Sequence, residues 1–222
     1  MLARPLGTKQ DRPKPARADR RNPDYNEPMT GGDDMQPAST GVRLTYDDFL
    51  LFPDDGLRHE LIDGEHYVSP SPNTKHQRLS GNLYFLIRSY LEIHPIGEVL
   101  YAPFDVVFSF FDIVVPDLIY LSKERASTVI TPLNAQGAPE LIVEIGSKST
   151  RKRDETIKRA LYERSGVSEY WMVDPNAHAV RICRLGDSRF GRERVLRLEN
   201  GDVVTTPLLP NLELRLRDIF KD

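Results

Sequence analysis

Glu144 stands inside the apolar segment LIVEI, within a stretch that reads APELIVEIGSKSTRKRDETIK from Ala138 to Lys158. An unpaired charge buried in such a strand costs several kcal/mol even after relaxation. A fold that keeps it must bring up a cation or a dense set of hydrogen bonds. Asp117 poses the same problem in IVVPDLIYL, residues 113–121. Strand alternation puts Asp117 on a face with Ile113, Val115, Ile119 and Leu121, and Glu144 on a face with Ile142 and Gly146. Pro116 cannot donate to a ladder, which predicts a strand break or a sheet edge beside Asp117.

The surrounding pattern supplies a framework for these strands. Thr45 can cap a short helix carrying Phe49, Leu50 and Phe52 before Pro53 stops it, and Asp63-Gly64 provides the positive φ angles of a tight hairpin. Leu79, Leu83, Leu86, Ile87, Tyr90 and Leu91 recur at helical spacing, with Pro95 ending the run. Strand-like EVLYA and FDVVFSF follow, then IVVPDLIYL, a Ser-, Thr-, Pro- and Gly-containing connection, and LIVEI. The helix RKRDETIKRALYERSG is expected to start from a Ser149 or Thr150 cap and close at Gly166. SEYWMV, an Asp174-Pro175-Asn176 turn and AVRICRL read as strand, turn, strand, with Tyr170 and Trp171 filling core and interface. A strand in RERVLRLE, a Gly201 turn and a short helix in RLRDIF complete an α/β or α+β sheet protein without internal repeats.

Residues 1–41 show neither a period of 2 nor of 3.6 and cannot bury enough surface to offset ordering entropy. They are expected to be a disordered Pro-, Arg- and Asp-rich tail, with a single domain over 42–222. The tail's charge is uneven: residues 1–21 hold seven Lys and Arg against two Asp, and residues 22–41 hold four acids and no base. The whole chain carries a net charge of -3, which argues against indiscriminate, tight binding to nucleic acid. The most apolar run, VVFSFFDIVV, is interrupted by Ser109 and Asp112 and is too short to span a bilayer. With no secretory apolar segment near the start, a cytoplasmic location and no membrane partner are expected. The lone Cys183 excludes an internal disulfide and any multi-cysteine zinc site, and fits core packing. His59 and His66 form no zinc-binding pattern.

If their strands are neighbours, Asp117 and Glu144 can reach one divalent cation. Magnesium suits two hard carboxylates, because it keeps waters and accepts phosphate oxygens in its remaining positions. The competing reading pairs each acid with a local Arg or Lys. Two lysines are candidates for the same site. Lys148 follows the strand end, while Lys158 lies on the next helix beside the apolar face marked by Ile157 and Leu161. Its alternative is an exposed i,i+4 pair with Asp154, worth about 0.3–0.5 kcal/mol. Arg151, Lys152 and Arg153 crowd a helix start, where the macrodipole disfavours cations. A nucleic-acid backbone could offset them, and so could plain solvation.

Taken in order, HELIDGE, SPSPNTKHQ, FDVV, VVPDLIYL and GAPELIVEIGSKSTRKRDETIKRALYERSGVSEYWMVDP strongly resemble the Uma-type restriction endonuclease family of the PD-(D/E)XK nuclease superfamily. The likeness runs over roughly residues 42–220. It implies a restriction-endonuclease-like core, a central mixed β-sheet flanked by helices. Asp117 takes the place of the motif aspartate and Glu144 that of the motif glutamate. The superfamily pattern sets its lysine two residues after the acid, where this chain has Gly146. Related families move that lysine to the next helix, which points to Lys158 ahead of Lys148. Glu60 matches the acid of the early hairpin and His76 the histidine after SPSP. Their plain alternatives are a pair with Arg58 and a capping role, respectively.

The resemblance thus implies a Mg2+- or Mn2+-dependent endonuclease that hydrolyses DNA phosphodiesters. Asp117 and Glu144 would hold the metal, with Glu60 joining them if there are two ions, and Lys158 would orient water or offset transition-state charge. Cutting two strands suits a homodimer. The alternative is a non-catalytic module of the same fold that binds nucleic acid or a protein.

Overall fold

A computed structural model describes residues 41–147 and 150–221. Residues 1–40 of the expected 1–41 tail, Lys148, Ser149 and Asp222 lie outside the described residues. Thr45 caps helix α1 (Tyr46–Phe49) through a reciprocal capping box with Asp48. Asp63 and Gly64, at φ 55° and 78°, turn strand β1 (Arg58–Ile62) into β2 (Glu65–Ser69). Helix α2 (Thr74–Ile93) is capped by Asn73 and buries Leu79, Leu83, Ile87 and Leu91, the stripe that the spacing predicts. Each such leucine or isoleucine contributes about 2 kcal/mol when withdrawn from water.

The segment 113–121 is not one strand. Strands β3 (Gly97–Tyr101), β4 (Val106–Ser109) and β5 (Asp112–Val114) lead to a break at Val115-Pro116-Asp117, after which β6 (Leu118–Ser122) begins. β5 lies between β1 and β4 in a five-stranded sheet, and β6 lies beside β3 in a six-stranded one. The chain changes sheets at the proline, so the shared face expected for Ile113, Val115 and Asp117 does not exist. The connection after β6 is more ordered than its composition suggests. Ser122 caps helix α3 (Lys123–Val129), and β7 (Ala135–Gln136) joins β4 in parallel. Only Val129 of α3 is fully buried, so its sequence carries too little apolar periodicity to announce a helix.

Strand β8 (Leu141–Ile145) pairs antiparallel with β6 and parallel with β9 (Glu169–Asp174). The crossover between β8 and β9 is one continuous helix with an irregular centre: α4 (Arg151–Arg153), a π-helical turn (Asp154–Lys158) and α5 (Arg159–Arg164). Thr150 makes no side-chain cap to this helix. Ser147 is the capping residue instead: its Oγ accepts from Thr150 N at 3.1 Å, its carbonyl accepts from Arg151 N, and Thr150 Oγ1 accepts from Ser147 N. Gly166, at φ 81°, ends the helix as expected. β10 (Ala179–Arg184) and β11 (Arg194–Arg197) complete the larger sheet. A hairpin absent from the sequence reading, β12 (Val203–Thr206) with β13 (Leu209–Arg215), precedes α6 (Leu216–Ile219).

The larger sheet separates two apolar cores. Leu118, Tyr120, Val143, Ile145, Trp171 and Val173 face α2, α6 and the β12–β13 hairpin. Ile119, Leu121, Ile142, Tyr170 and Met172 face the smaller sheet together with Leu161 and Tyr162 of α5. Tyr170 and Trp171 are both fully buried inside the chain. Cys183 is also buried. No helix among the described residues is long and apolar enough to cross a membrane. Glu144 belongs to the same side of the sheet as Ile142 and Met172, so its carboxylate lies between the sheet and the π-turn.

Candidate active site

The break at Pro116 creates one half of the site. β6 and β8 are registered with Leu118 opposite Val143. One more step in that antiparallel register brings Asp117 opposite Glu144, so the two acids emerge side by side where β6 starts. Ile145 N donates to Asp117 Oδ2 at 2.7 Å, tying the aspartate directly to the strand that carries Glu144. Arg58 Nη1 donates to Asp117 Oδ1 at 2.7 Å, and His76 Nε2 lies 3.1 Å from Oδ2. Burial would raise the Asp117 carboxyl, but His76 and Arg58 outweigh it and hold it down to about 2. The alternative for His76 as a mere capping residue is therefore incomplete: Asn73 caps its backbone N–H while its ring reaches the site.

The π-turn supplies the other half. Lys158 is buried, with Nζ 2.9 Å from Glu144 Oε1 and 2.7 Å from Glu60 Oε1. This disposes of the exposed pair with Asp154. Burial alone would lower the Lys158 pKa, but Glu144 and Glu60 reverse the effect and keep the ammonium charged. Glu144 itself is pushed up to about 8, chiefly by burial and in spite of Lys158. Glu60, on β1, does not pair with Arg58; besides Lys158, its Oε1 accepts from Val115 N at 3.0 Å. That N–H is left without a ladder partner by the strand break, so the same proline that frees Asp117 gives Glu60 its anchor.

Two residues that sequence reasoning did not assign complete the arrangement. Asp154 opens the π-turn, is buried, and has its pKa raised by burial against the opposing pull of Lys158. Tyr162, one turn after Lys158, donates its hydroxyl to Glu144 Oε1 at 2.6 Å. The spacing Asp154, Lys158, Tyr162 at four-residue steps was a usable signal, since one helix face then carries an acid, a base and a hydroxyl.

The basic trio splits. Arg153 turns inward: Nη2 donates to Ser69 Oγ at 2.5 Å and lies 3.4 Å from Glu60 Oε2, with the guanidinium over the Tyr67 ring. Arg151 is exposed but bonded to Glu155 and, at 3.2 Å, to Asp174. Lys152 is on the surface. The three side chains thus have different surroundings, and the Glu155 and Asp174 carboxylates offset part of the Arg151 charge. Lys148 lies outside the described residues.

A cavity of about 410 Å³ has Arg58, Lys75, His76, Asp117, Glu144 and Lys158 in its wall. Two buried oxygens in it accept no hydrogen bond: Asp154 Oδ1, and Glu60 Oε2, which lies 3.4 Å from Arg153 Nη2. Among the described residues no three acid, histidine or cysteine side chains form a ready-made metal cage. The donor set is instead the Glu144 carboxylate on β8 and the Asp117 carboxylate just before β6, with the unbonded Asp154 Oδ1 beside them. That chemistry suits a hard divalent ion that binds through one or two carboxylates and retains its waters.

No curated protein matches the chain. A crystal structure of "a putative nuclease belonging to DUF820" from Anabaena variabilis ATCC 29413 matches with a TM-score of 0.68 at 22% identity, covering 80% of this chain and 97% of that one. At that identity the likeness concerns the fold, a mixed α+β architecture with helices flanking its sheets. The Uma2 profile, described as "Putative restriction endonuclease", matches residues 46–217, from the first helix to the last, and the chain belongs to that family.

Proposed function

We propose that this protein is a divalent-metal-dependent nuclease that hydrolyses phosphodiester bonds of DNA. The observation that carries the reading is the meeting of Asp117, Glu144 and Lys158 at one cavity, with Glu60 as a second partner of the lysine. Asp117 and Glu144 would hold the ion, and Glu60 Oε2, which accepts no hydrogen bond and lies 3.4 Å from Arg153, could contribute. When bound, Mg2+ or Mn2+ supplies Lewis-acid polarisation of phosphate oxygens and activates water.

The chain's own residues do the rest. Lys158, held charged inside the protein, places a fixed positive charge beside the acids, where it can orient the attacking water and offset charge developing on the phosphate. Arg58 and His76 keep Asp117 ionised at any pH the enzyme would meet. Arg58, Lys75, Arg153 and Lys158 share the cavity wall with the carboxylates of Glu60, Asp117, Glu144 and Asp154, so a polyanion would be drawn to it once a bound cation offsets those acids. A cytoplasmic homodimer goes with this reading, since two copies could address both strands of a duplex.

One observation favours the alternative of a non-catalytic binding module: both oxygens of Asp117 are already engaged by Arg58, His76 and Ile145. Incubation of supercoiled plasmid with the protein and Mg2+ or Mn2+, beside Asp117→Ala and Glu144→Ala, separates the two. Metal-dependent nicking lost in both variants supports the nuclease. If no DNA or RNA is cut and no divalent ion raises thermal stability, the enzyme reading is abandoned for the binding module.

A further inference from the structure

We propose that Tyr162 is a positioning residue that fixes the Glu144 carboxylate for the divalent ion, an inference that rests on the nuclease reading. Both donors to Glu144, the Tyr162 hydroxyl at 2.6 Å and Lys158 Nζ at 2.9 Å, converge on Oε1. Among the described residues no hydrogen bond falls on Oε2, and Glu144 lines the cavity. One donor would leave the carboxylate free to rotate about its last bond, whereas two donors from different directions fix its plane and reserve the second oxygen. Lys158 is also drawn by Glu60, so it cannot by itself decide where Glu144 points.

The tyrosine is built to hold that position. Its side chain is fully buried. The ring packs edge-on against Tyr170 at 4.9 Å and tilted against Phe108 at 5.9 Å. A fully buried hydroxyl needs an acceptor, and the one it bonds is the carboxylate itself. Hydrogen-bond partners of this kind orient a ligand that touches the metal without touching the metal themselves, and their loss typically weakens metal affinity by roughly 10- to 100-fold.

Tyr162→Phe keeps the ring and removes the oxygen. Tyr170→Phe is the matched control, because it removes another buried hydroxyl, one that donates to the Asp154 carbonyl at 3.1 Å. Mn2+ binding is measured by calorimetry without DNA, alongside plasmid nicking as a function of Mn2+ concentration. The expected result is a Kd raised roughly 10- to 100-fold in Tyr162→Phe and unchanged in Tyr170→Phe, with nicking restored toward the wild-type rate at high Mn2+. Wild-type affinity in Tyr162→Phe, or equal weakening in both variants, would overturn the proposal while leaving the nuclease reading intact. A wild-type protein that neither binds Mn2+ nor cuts overturns both. Should Tyr162→Phe fail to fold, Phe108→Leu loosens the ring but keeps the hydroxyl. An intermediate loss of Mn2+ affinity then supports the role, and unchanged affinity overturns it.

Discussion

Lys158 Nζ sits 2.9 Å from Glu144 Oε1, joining residues 14 apart in sequence across the junction of a π-helical turn and a central strand. The pair closes the connection between β8 and its crossover helix. It also answers the charge problem that Glu144 poses. When Glu144 is ionised the Lys158 ammonium offsets its charge, and Glu60 draws the lysine further into the site. π-turns are rare and concentrate at functional positions. Here the turn carries both Asp154 and Lys158 to the buried side of its helix.

Replacing the lysine tests whether that closure is also the catalytic arrangement. Lys158→Ala strands Glu60 and Glu144 without their cation and is expected to lower stability by about 3 kcal/mol in urea unfolding. Plasmid nicking should disappear with it, while Lys148→Ala should only slow nicking. The opposite ranking would move the functional lysine to position 148.

Acid titration isolates Asp117. Its folded-state pKa is depressed from 3.8 to about 2, so its contribution to stability is present above about pH 4 and is lost as pH falls through 2. The loss should be about 2 kcal/mol. Asp117→Asn should flatten this part of the stability–pH curve, as followed by denaturant unfolding.

Glu144 titrates with the opposite sign. Its pKa is raised from 4.5 to about 8, so the stability it contributes is complete below pH 4.5 and is lost as pH rises through 8. A divalent ion requires the ionised form and competes with the proton. The rise in Tm produced by Mn2+ should therefore grow from pH 6 to pH 9, and Glu144→Gln should abolish that growth.

Two glycines should respond to alanine in opposite directions. At Gly97 an added Cβ would run into the Leu121 carbonyl and the Tyr120 ring on the neighbouring strand, so Gly97→Ala should cost about 2 kcal/mol or more. At Gly81, inside α2, the Cβ meets open space, and Gly81→Ala should add about 0.5–1 kcal/mol. Thermal unfolding measures both.

Much of the secondary structure was legible because it rests on local periodicity. The stripe of Leu79, Leu83, Ile87 and Leu91, the Asp63-Gly64 turn and the Gly166 helix end follow from nearest-neighbour rules. The β12–β13 hairpin and α3 lack such a periodic signal. Val204, Leu209, Leu212 and Leu214 are buried, but a shift in hairpin register interrupts their alternation, and α3 buries little besides Val129. Pro116 forecast a break, yet not that its two sides would enter different sheets.

The sequence by itself determined that two carboxylates lie among apolar strand residues and that each needs a partner. Hydrophobic burial carries that information residue by residue. Which partners they take was decided by tertiary structure alone: Asp117 meets Arg58 and His76 from distant segments, and Glu144 meets Lys158 and Tyr162. A basic residue near an acid in sequence can pair with it, point outward or turn to another acid, as Arg153 does toward Glu60. Charge attraction is long-ranged and non-directional, so only the packing of strand against helix selects among these possibilities.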